Sequence, residues 1–181
     1  MVGTVPKIVI ITGASGQGKT RLCQALVNLA KTQGLAVKGI LSPAVFTGRE
    51  KTAILVEDAS TGKQRELAHT RQAGSEGEIQ TGHWTFNPGS MAWGSRILAE
   101  AGECGLLVVD ELGPLEFTQQ KGWVEGIQAI NRRQYRLGVA VVRPALLEQA
   151  LVLWPEATVF TVDRSRAAVD QAGEILSLAD S

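Results

Sequence analysis

The chain has no excess of charge of either sign, because its 181 residues include 18 lysines and arginines and 18 aspartates and glutamates. Proteins that bind nucleic acid generally need a basic surface to neutralise phosphates, so nucleic-acid binding is not expected here. Apolar runs such as Ile8–Ile11 and Leu106–Val109 are too short to cross a bilayer. Membrane insertion is therefore not expected either.

Cysteine is also scarce, since Cys23 and Cys104 are the only two in the sequence. They form neither a disulfide framework nor a metal-ligand spacing, and a reducing, cytoplasmic location is expected. Apolar residues make up 44% and charged residues 20%, which is typical of a folded globular protein and not of a disordered one. The length predicts a single domain over residues 1–181.

Short apolar segments alternate with helical patterns along much of the chain. Lys7–Thr12 predicts a buried strand, and a helix follows to about Gln33. This alternation predicts an α/β fold with an open, mainly parallel sheet and helices on both faces. The later helices are predicted near Gly89–Ala101, Gln120–Asn131, Ala145–Leu151 and Arg164–Leu178, and the later strands at Gly105–Asp110, Leu137–Val142 and Ala157–Val162.

The alternation is interrupted by a β-meander, predicted at about residues 37–87. Turn-like glycine segments separate its short apolar runs, as in consecutive antiparallel strands. A polar loop is expected at Gln72–Gly82. The predicted strands are Val37–Phe46, Thr52–Asp58, Lys63–Ala68 and His83–Phe86.

A glycine-rich segment between the first strand and the first helix matches GxxxxGK followed by Ser or Thr, the phosphate-binding P-loop. Its glycines let successive backbone N–H groups face one anion, and the helix N-terminus adds partial positive charge. Lys19 is predicted to contact the terminal phosphates, and the Thr20 hydroxyl is predicted to bind Mg²⁺. The predicted nucleotide-binding residues here are Gly13, Ala14, Ser15, Gly16, Gln17, Gly18, Lys19 and Thr20.

A second segment ends an apolar strand with two acids. Asp110 occupies the position of a Walker-B aspartate, which holds Mg²⁺ opposite Thr20. Glu111 is predicted to act as general base on the attacking water; the alternative is that it caps the backbone or pairs with a surface arginine. Glu116 is expected to be a solvated surface acid. The segment comprises Leu107, Val108, Val109, Asp110, Glu111, Leu112, Gly113 and Pro114.

Arg143 follows the strand predicted at Leu137–Val142, so it lies on the edge of a parallel sheet where ligands bind. Two roles remain open for it. It contacts the γ-phosphate, or it forms a salt bridge with a neighbouring acid.

Three segments together resemble the small cancer-related nucleoside-triphosphatase (THEP-type) family: TGASGQGKT, VVDELGPLE, and the meander GILSPAVFTGREKTAILVEDASTGK. The resemblance runs from about Lys7 to Leu178, and DELGPLE is close to the family's DEIGKME. It implies a RecA-like P-loop fold that hydrolyses nucleoside triphosphates of several bases with Mg²⁺. It also implies that the nucleotide contacts Gly13–Thr20 and Leu107–Pro114.

The leading hypothesis is therefore hydrolysis of a nucleoside triphosphate, with Lys19, Glu111 and Arg143 as catalytic residues and Mg²⁺ at Thr20 and Asp110. Two alternatives are open. A P-loop kinase would transfer phosphate to a small acceptor, and a nucleotide-gated accessory protein would bind a protein partner through the Gln72–Gly82 loop and the meander.

Overall fold

The computed structural model describes residues 5–70, 79–81 and 84–180. Within these residues the strands form a ten-stranded sheet. The strands are β1 (Lys7–Thr12), β2 (Val37–Leu41), β3 (Ala44–Thr47), β4 (Glu50–Asp58), β5 (Gln64–Thr70), β6 (Ile79–Thr81), β7 (Trp84–Phe86), β8 (Cys104–Leu112), β9 (Tyr135–Val142) and β10 (Thr158–Thr161).

Five of the strands are parallel, in the spatial order β10-β1-β9-β8-β2. The sheet continues from β2 into the antiparallel meander β4-β5-β7-β6, and β3 pairs with β4. The helices are α1 (Lys19–Thr32), α2 (Pro88–Ala99), α3 (Pro114–Phe117), α4 (Val124–Arg132), α5 (Leu147–Leu153) and α6 (Ala168–Ser177).

The parallel strands are apolar along both faces because each face is covered by helices. In β1, Val9 and Ile11 pack with α1 and α6, whereas Ile8 and Ile10 pack with α2, α4 and α5. All four side chains are almost fully buried. The predicted α/β fold, with a mainly parallel sheet between two helical layers, is confirmed.

The strand predicted at Val37–Phe46 is wrong in one respect, because it divides into β2 and β3 at Ser42 and Pro43. Proline has no N–H to continue a strand ladder, and the Ser42 N–H donates to the Asp110 carboxylate instead. The helix predicted from Gln120 begins only at Val124, and α3 was not predicted.

The loop expected at Gln72–Gly82 lies largely outside the described residues, except for β6, and His83 lies outside them too. In the described part of the chain, each helix lacks the combination of length and hydrophobicity needed to cross a membrane.

Candidate active site

The candidate site lies at the carboxyl ends of β1, β8 and β9. These three strands run parallel and adjacent, with β9 between the other two. The residues that follow them therefore meet at the edge of the sheet where open α/β proteins bind ligands. The structure brings together there the glycine-rich loop, the Asp110–Glu111 pair and Arg143.

The glycine-rich loop turns from β1 into α1 through three glycines with positive φ. Gly13, Gly16 and Gly18 have φ values of 149°, 76° and 91°, which side-chain-bearing residues rarely adopt. Lys19 is buried in the loop, and its Nζ donates to the Gly13 carbonyl at 2.7 Å and the Ala14 carbonyl at 3.0 Å. These bonds hold the ammonium group inside the loop, at the N-terminus of α1.

Asp110 lies at an irregularity in β8. The pairing of β8 with β9 shifts register between Val109 and Leu112, and such bulges redirect side chains next to functional sites. The Asp110 carboxylate accepts a hydrogen bond from the Ser42 N–H at 3.0 Å, and it lies near the Thr20 hydroxyl, which lowers the pKa of Asp110. The two residues predicted to hold Mg²⁺ thus lie near each other.

The Asp110 carboxyl is 1% exposed. Burial raises its pKa to about 6; hydrogen bonds from Ser42 and Thr20 and the Lys19 charge lower the pKa, and the Glu111 charge raises it. A buried carboxylate that costs free energy to ionise is well matched to a hard divalent cation, and carboxylate and hydroxyl oxygens are suitable ligands for Mg²⁺. The residues present therefore fit the predicted ion.

We expect the Asp110→Asn variant to be more stable than the wild type at pH 8, without nucleotide or metal. A pKa of about 6 instead of 3.8 corresponds to about 3 kcal/mol lost when the carboxyl ionises. Because the raised pKa belongs to the folded state, the wild type recovers this free energy as the pH falls from about 6 to 4. Urea unfolding at pH 8 and pH 4.5 measures it. A variant that is less stable by the same amount at both pH values would contradict this assignment.

Glu111 and Arg143 form an ion pair, with Nε of Arg143 donating to Oε1 of Glu111 at 2.6 Å. The side chains are 36% and 59% exposed. The sequence left open that Glu111 pairs with a surface arginine and that Arg143 pairs with a neighbouring acid. In the structure these two residues pair with each other. Exposed pairs contribute little to stability, so Arg143 is able to exchange this partner for a phosphate at small cost.

Lys51, at the start of β4, is a residue that the sequence analysis missed. Its Nζ lies 5.1 Å from the centroid of the Trp84 ring. Burial lowers the pKa of Lys51, while the Glu111 and Asp110 carboxylates raise it and Arg143 lowers it. The ammonium is thus within electrostatic reach of the site. In sequence it stands beside the turn Gly48-Arg49-Glu50, where a lysine is typical of a solvated surface.

Ser42 was also missed. Besides its N–H bond to the Asp110 carboxylate, its hydroxyl donates to the Asp110 backbone carbonyl. These bonds attach the start of the meander to the end of β8. The Ser-Pro pair at the end of an apolar run is the one sequence signal that marked this position.

Glu116 is buried, so its expected position as a solvated surface acid is wrong. Its carboxylate accepts hydrogen bonds from the Gly113 N–H at 2.8 Å and the Trp123 N–H at 2.9 Å. Burial raises the pKa of Glu116, and these two bonds lower it. Gly122, with φ of 69°, passes so close that any Cβ there would collide with the carboxylate. Glu116 therefore fixes the turn after Glu111 to the start of α4.

Replacing Glu116 with alanine should destabilise the protein by about 1–3 kcal/mol, because two N–H donors lose their acceptor. The melting temperature is expected to fall by roughly 2–4 °C per kcal/mol. Glu116→Gln keeps an acceptor oxygen, so its melting temperature should lie between those of the wild type and Glu116→Ala. Glu148→Ala, at an exposed position of α5, serves as the control. Equal melting temperatures for Glu116→Ala and the control would show that the bonds do not hold the turn.

The sequence matches the family model described as NTPase over residues 8–168. The nucleoside-triphosphatase THEP1 of Ignicoccus hospitalis is 32% identical over 111 residues, which is 61% of either chain. The THEP1 of Caldivirga maquilingensis is 26% identical over 163 residues, covering 90% of this chain and 91% of the relative.

Two solved structures share the fold. The solution structure of a human cancer-related nucleoside triphosphatase superimposes with a TM-score of 0.69 at 21% identity, covering 95% of this chain and 96% of the other. The crystal structure of THEP1 from Aquifex aeolicus gives 0.67 at 18% identity, covering 96% and 99%. The overall α/β fold is thus shared with these two solved structures.

Proposed function

The chain belongs to the NTPase family, and from this premise we propose that it hydrolyses nucleoside triphosphates to the diphosphate and phosphate, with Mg²⁺. The observation that supports the proposal is that the glycine-rich loop, with Lys19 buried in it, and the buried Asp110 lie at the same edge of the parallel sheet. Thr20 and Asp110 thereby offer two oxygen ligands near the Lys19 ammonium.

We assign triphosphate binding to the loop Gly13–Thr20. Its backbone N–H groups and the N-terminus of α1 offer donors and partial positive charge to the β- and γ-phosphates. The Lys19 ammonium supplies a full charge and exchanges the Gly13 and Ala14 carbonyls for phosphate oxygens. Within the segment Leu107–Pro114, the end of β8 at Asp110 and Glu111 is assigned to the opposite side of the phosphate site, while Leu107, Val108 and Val109 pack in the hydrophobic core.

Thr20 and Asp110 are the residues that would hold Mg²⁺. When bound, the ion neutralises charge on the β- and γ-phosphate oxygens. The protein contributes a carboxylate held by the Ser42 N–H at 3.0 Å and shielded from water, so its orientation is set before any ligand binds.

We assign activation of water to Glu111, which directly follows Asp110. Its carboxylate removes a proton from the water that attacks the γ-phosphorus, while the bond from that phosphorus to the bridging oxygen of the diphosphate breaks. Arg143 restrains Glu111 before the nucleotide binds. When the γ-phosphate arrives, the guanidinium turns to its oxygens, which frees Glu111 and stabilises the developing charge.

Replacing Arg143 with alanine is expected to lower kcat roughly 10-fold to 1,000-fold, with little change in nucleotide affinity, a range below that of dedicated arginine fingers. Arg143→Lys keeps the charge but not the planar fork, so it should recover only part of the loss. Steady-state phosphate release and calorimetric ATP affinity measure both effects. Normal turnover of a stable Arg143→Ala protein would restrict Arg143 to a structural salt bridge.

The proposed function is tested by measuring phosphate release from ATP, GTP, CTP and UTP without any acceptor. We expect one phosphate and one diphosphate product per triphosphate, release that depends on added Mg²⁺, and its loss with EDTA. A kinase would release little phosphate until an acceptor is supplied, and an accessory protein would need its partner. Failure of all four nucleotides with Mg²⁺ present would reject the proposal.

A further inference from the structure

A cavity of about 460 Å³ opens beside Glu111 and Arg143, between the meander, α2 and the turn that follows β8. The P-loop residues are not among those that line it. Its lining is mainly apolar and aromatic and includes a few polar side chains. The apolar and aromatic side chains include Ile54, Leu67, Trp84, Phe86, Met91 and Trp123.

The cavity lies at the γ-phosphate end of the proposed nucleotide site. Lys19, Thr20 and Asp110 mark the β- and γ-phosphates, and Glu111, which directly follows Asp110, lines the cavity. Strand β8 is already two strands from β1, about 10 Å at the usual strand spacing. Most strand residues that line the cavity belong to the meander, beyond β8, while Arg143 follows β9. The base of the nucleotide extends from the other end of the triphosphate, so this space is not its binding site.

The interior has the composition of a small-molecule site. Its volume falls within the usual range for ligand pockets, and such pockets combine apolar and aromatic walls with a few polar groups that orient the ligand. Trp123 is fixed in place, because its indole Nε1 donates to the Met91 carbonyl at 3.3 Å and its backbone N–H donates to the Glu116 carboxylate. Rigid aromatic walls favour flat ligands.

We propose that this cavity binds a second small molecule, a flat apolar compound that presents a hydrogen-bonding group to Glu111 and Arg143. Glu111 offers it an acceptor and Arg143 a donor. Its bulk would occupy the space in front of Glu111 from which water reaches the γ-phosphate, so the bound compound slows hydrolysis. This last consequence rests on the proposed function, while the binding itself does not.

The test uses 1-anilinonaphthalene-8-sulfonate on the folded full chain; this fluorophore joins an apolar naphthalene to a sulfonate that accepts from Arg143 and an anilino N–H that donates to Glu111. We expect one bound molecule per chain, detected by fluorescence enhancement and by energy transfer from the tryptophans. Met91→Trp and Ile54→Trp fill the cavity from α2 and from β4, and each should weaken binding at least about tenfold. Val152→Trp, at an 82% exposed position of α5, adds the same side chain elsewhere and should leave binding unchanged.

A second measurement separates this inference from the proposed function. The fluorophore should lower phosphate release from ATP in the wild type, whereas the release measured for Met91→Trp should be the same with and without the fluorophore. Equal fluorophore binding by the wild type and both filled variants would overturn the proposal. Competitive displacement by ADP, which has no γ-phosphate to draw Arg143 away, would also overturn it, because the cavity would then belong to the nucleotide site. If the fluorophore binds in the cavity but no phosphate is released from ATP, only the proposed function is rejected.

Discussion

Replacing Glu111 with glutamine is expected to lower kcat for ATP hydrolysis by roughly 100-fold or more, which is the typical loss when a general base is removed. The amide is nearly isosteric and cannot accept a proton from water. ATP affinity should change little, because the phosphates and the ion are held by the loop, Thr20 and Asp110. Single-turnover phosphate release and calorimetric ATP binding measure the two quantities separately.

Glu148→Gln is the matched control for this experiment, since Glu148 is an exposed acid on α5 away from the site. The Glu111→Gln change also weakens the ion pair with Arg143. The double variant with Arg143→Ala therefore shows whether the two residues act together, because coupled losses are smaller than their product. Hydrolysis by Glu111→Gln at the wild-type rate would assign water activation to another group.

Replacing Lys19 with alanine is expected to weaken ATP affinity by roughly 100-fold, since removing one partner of a buried charge pair costs about 2–5 kcal/mol. Lys19 provides a full positive charge within the loop, and the backbone N–H groups that remain carry only partial charges. The effect is measured by calorimetry with ATP and Mg²⁺.

Lys31→Ala removes an exposed lysine from the last turn of the same helix and should bind ATP normally. The Lys19 ammonium also bonds to the Gly13 and Ala14 carbonyls. Thermal unfolding of both variants therefore has to accompany the binding measurement. Unchanged ATP affinity in a folded Lys19→Ala protein would mean that the loop does not bind the triphosphate.

The sequence predicted those parts of the molecule that depend on neighbours along the chain. The loop Gly13–Thr20 is defined by glycines and a lysine at fixed spacing between a strand and a helix, so its position followed from the sequence. The apolar strand that leads to Asp110 and Glu111 was also predicted from the sequence. Because parallel strands share one carboxyl edge, the approach of these two segments could also be predicted.

The parts that were missed depend on contacts between distant segments. Glu116 is indistinguishable in sequence from a surface acid until the chain returns at Gly122 and Trp123 to cover it. Lys51 approaches Glu111 only because the meander folds beside the end of β8. Strand β2 ends just before Ser42 because the Ser42 N–H donates to the carboxylate of Asp110, 68 positions later in the chain. Patterns of local hydrophobicity carry no information about such pairs.

The most direct measurement is ATP hydrolysis in water enriched in ¹⁸O, with Mg²⁺ and without any acceptor, followed by mass spectrometry of both products. Attack of a Glu111-activated water on the γ-phosphorus predicts one ¹⁸O atom in each released phosphate and none in the ADP. The Glu111→Gln variant should give the same labelling at the reduced rate. Label in the ADP, or phosphate released without label, would contradict hydrolysis at this site.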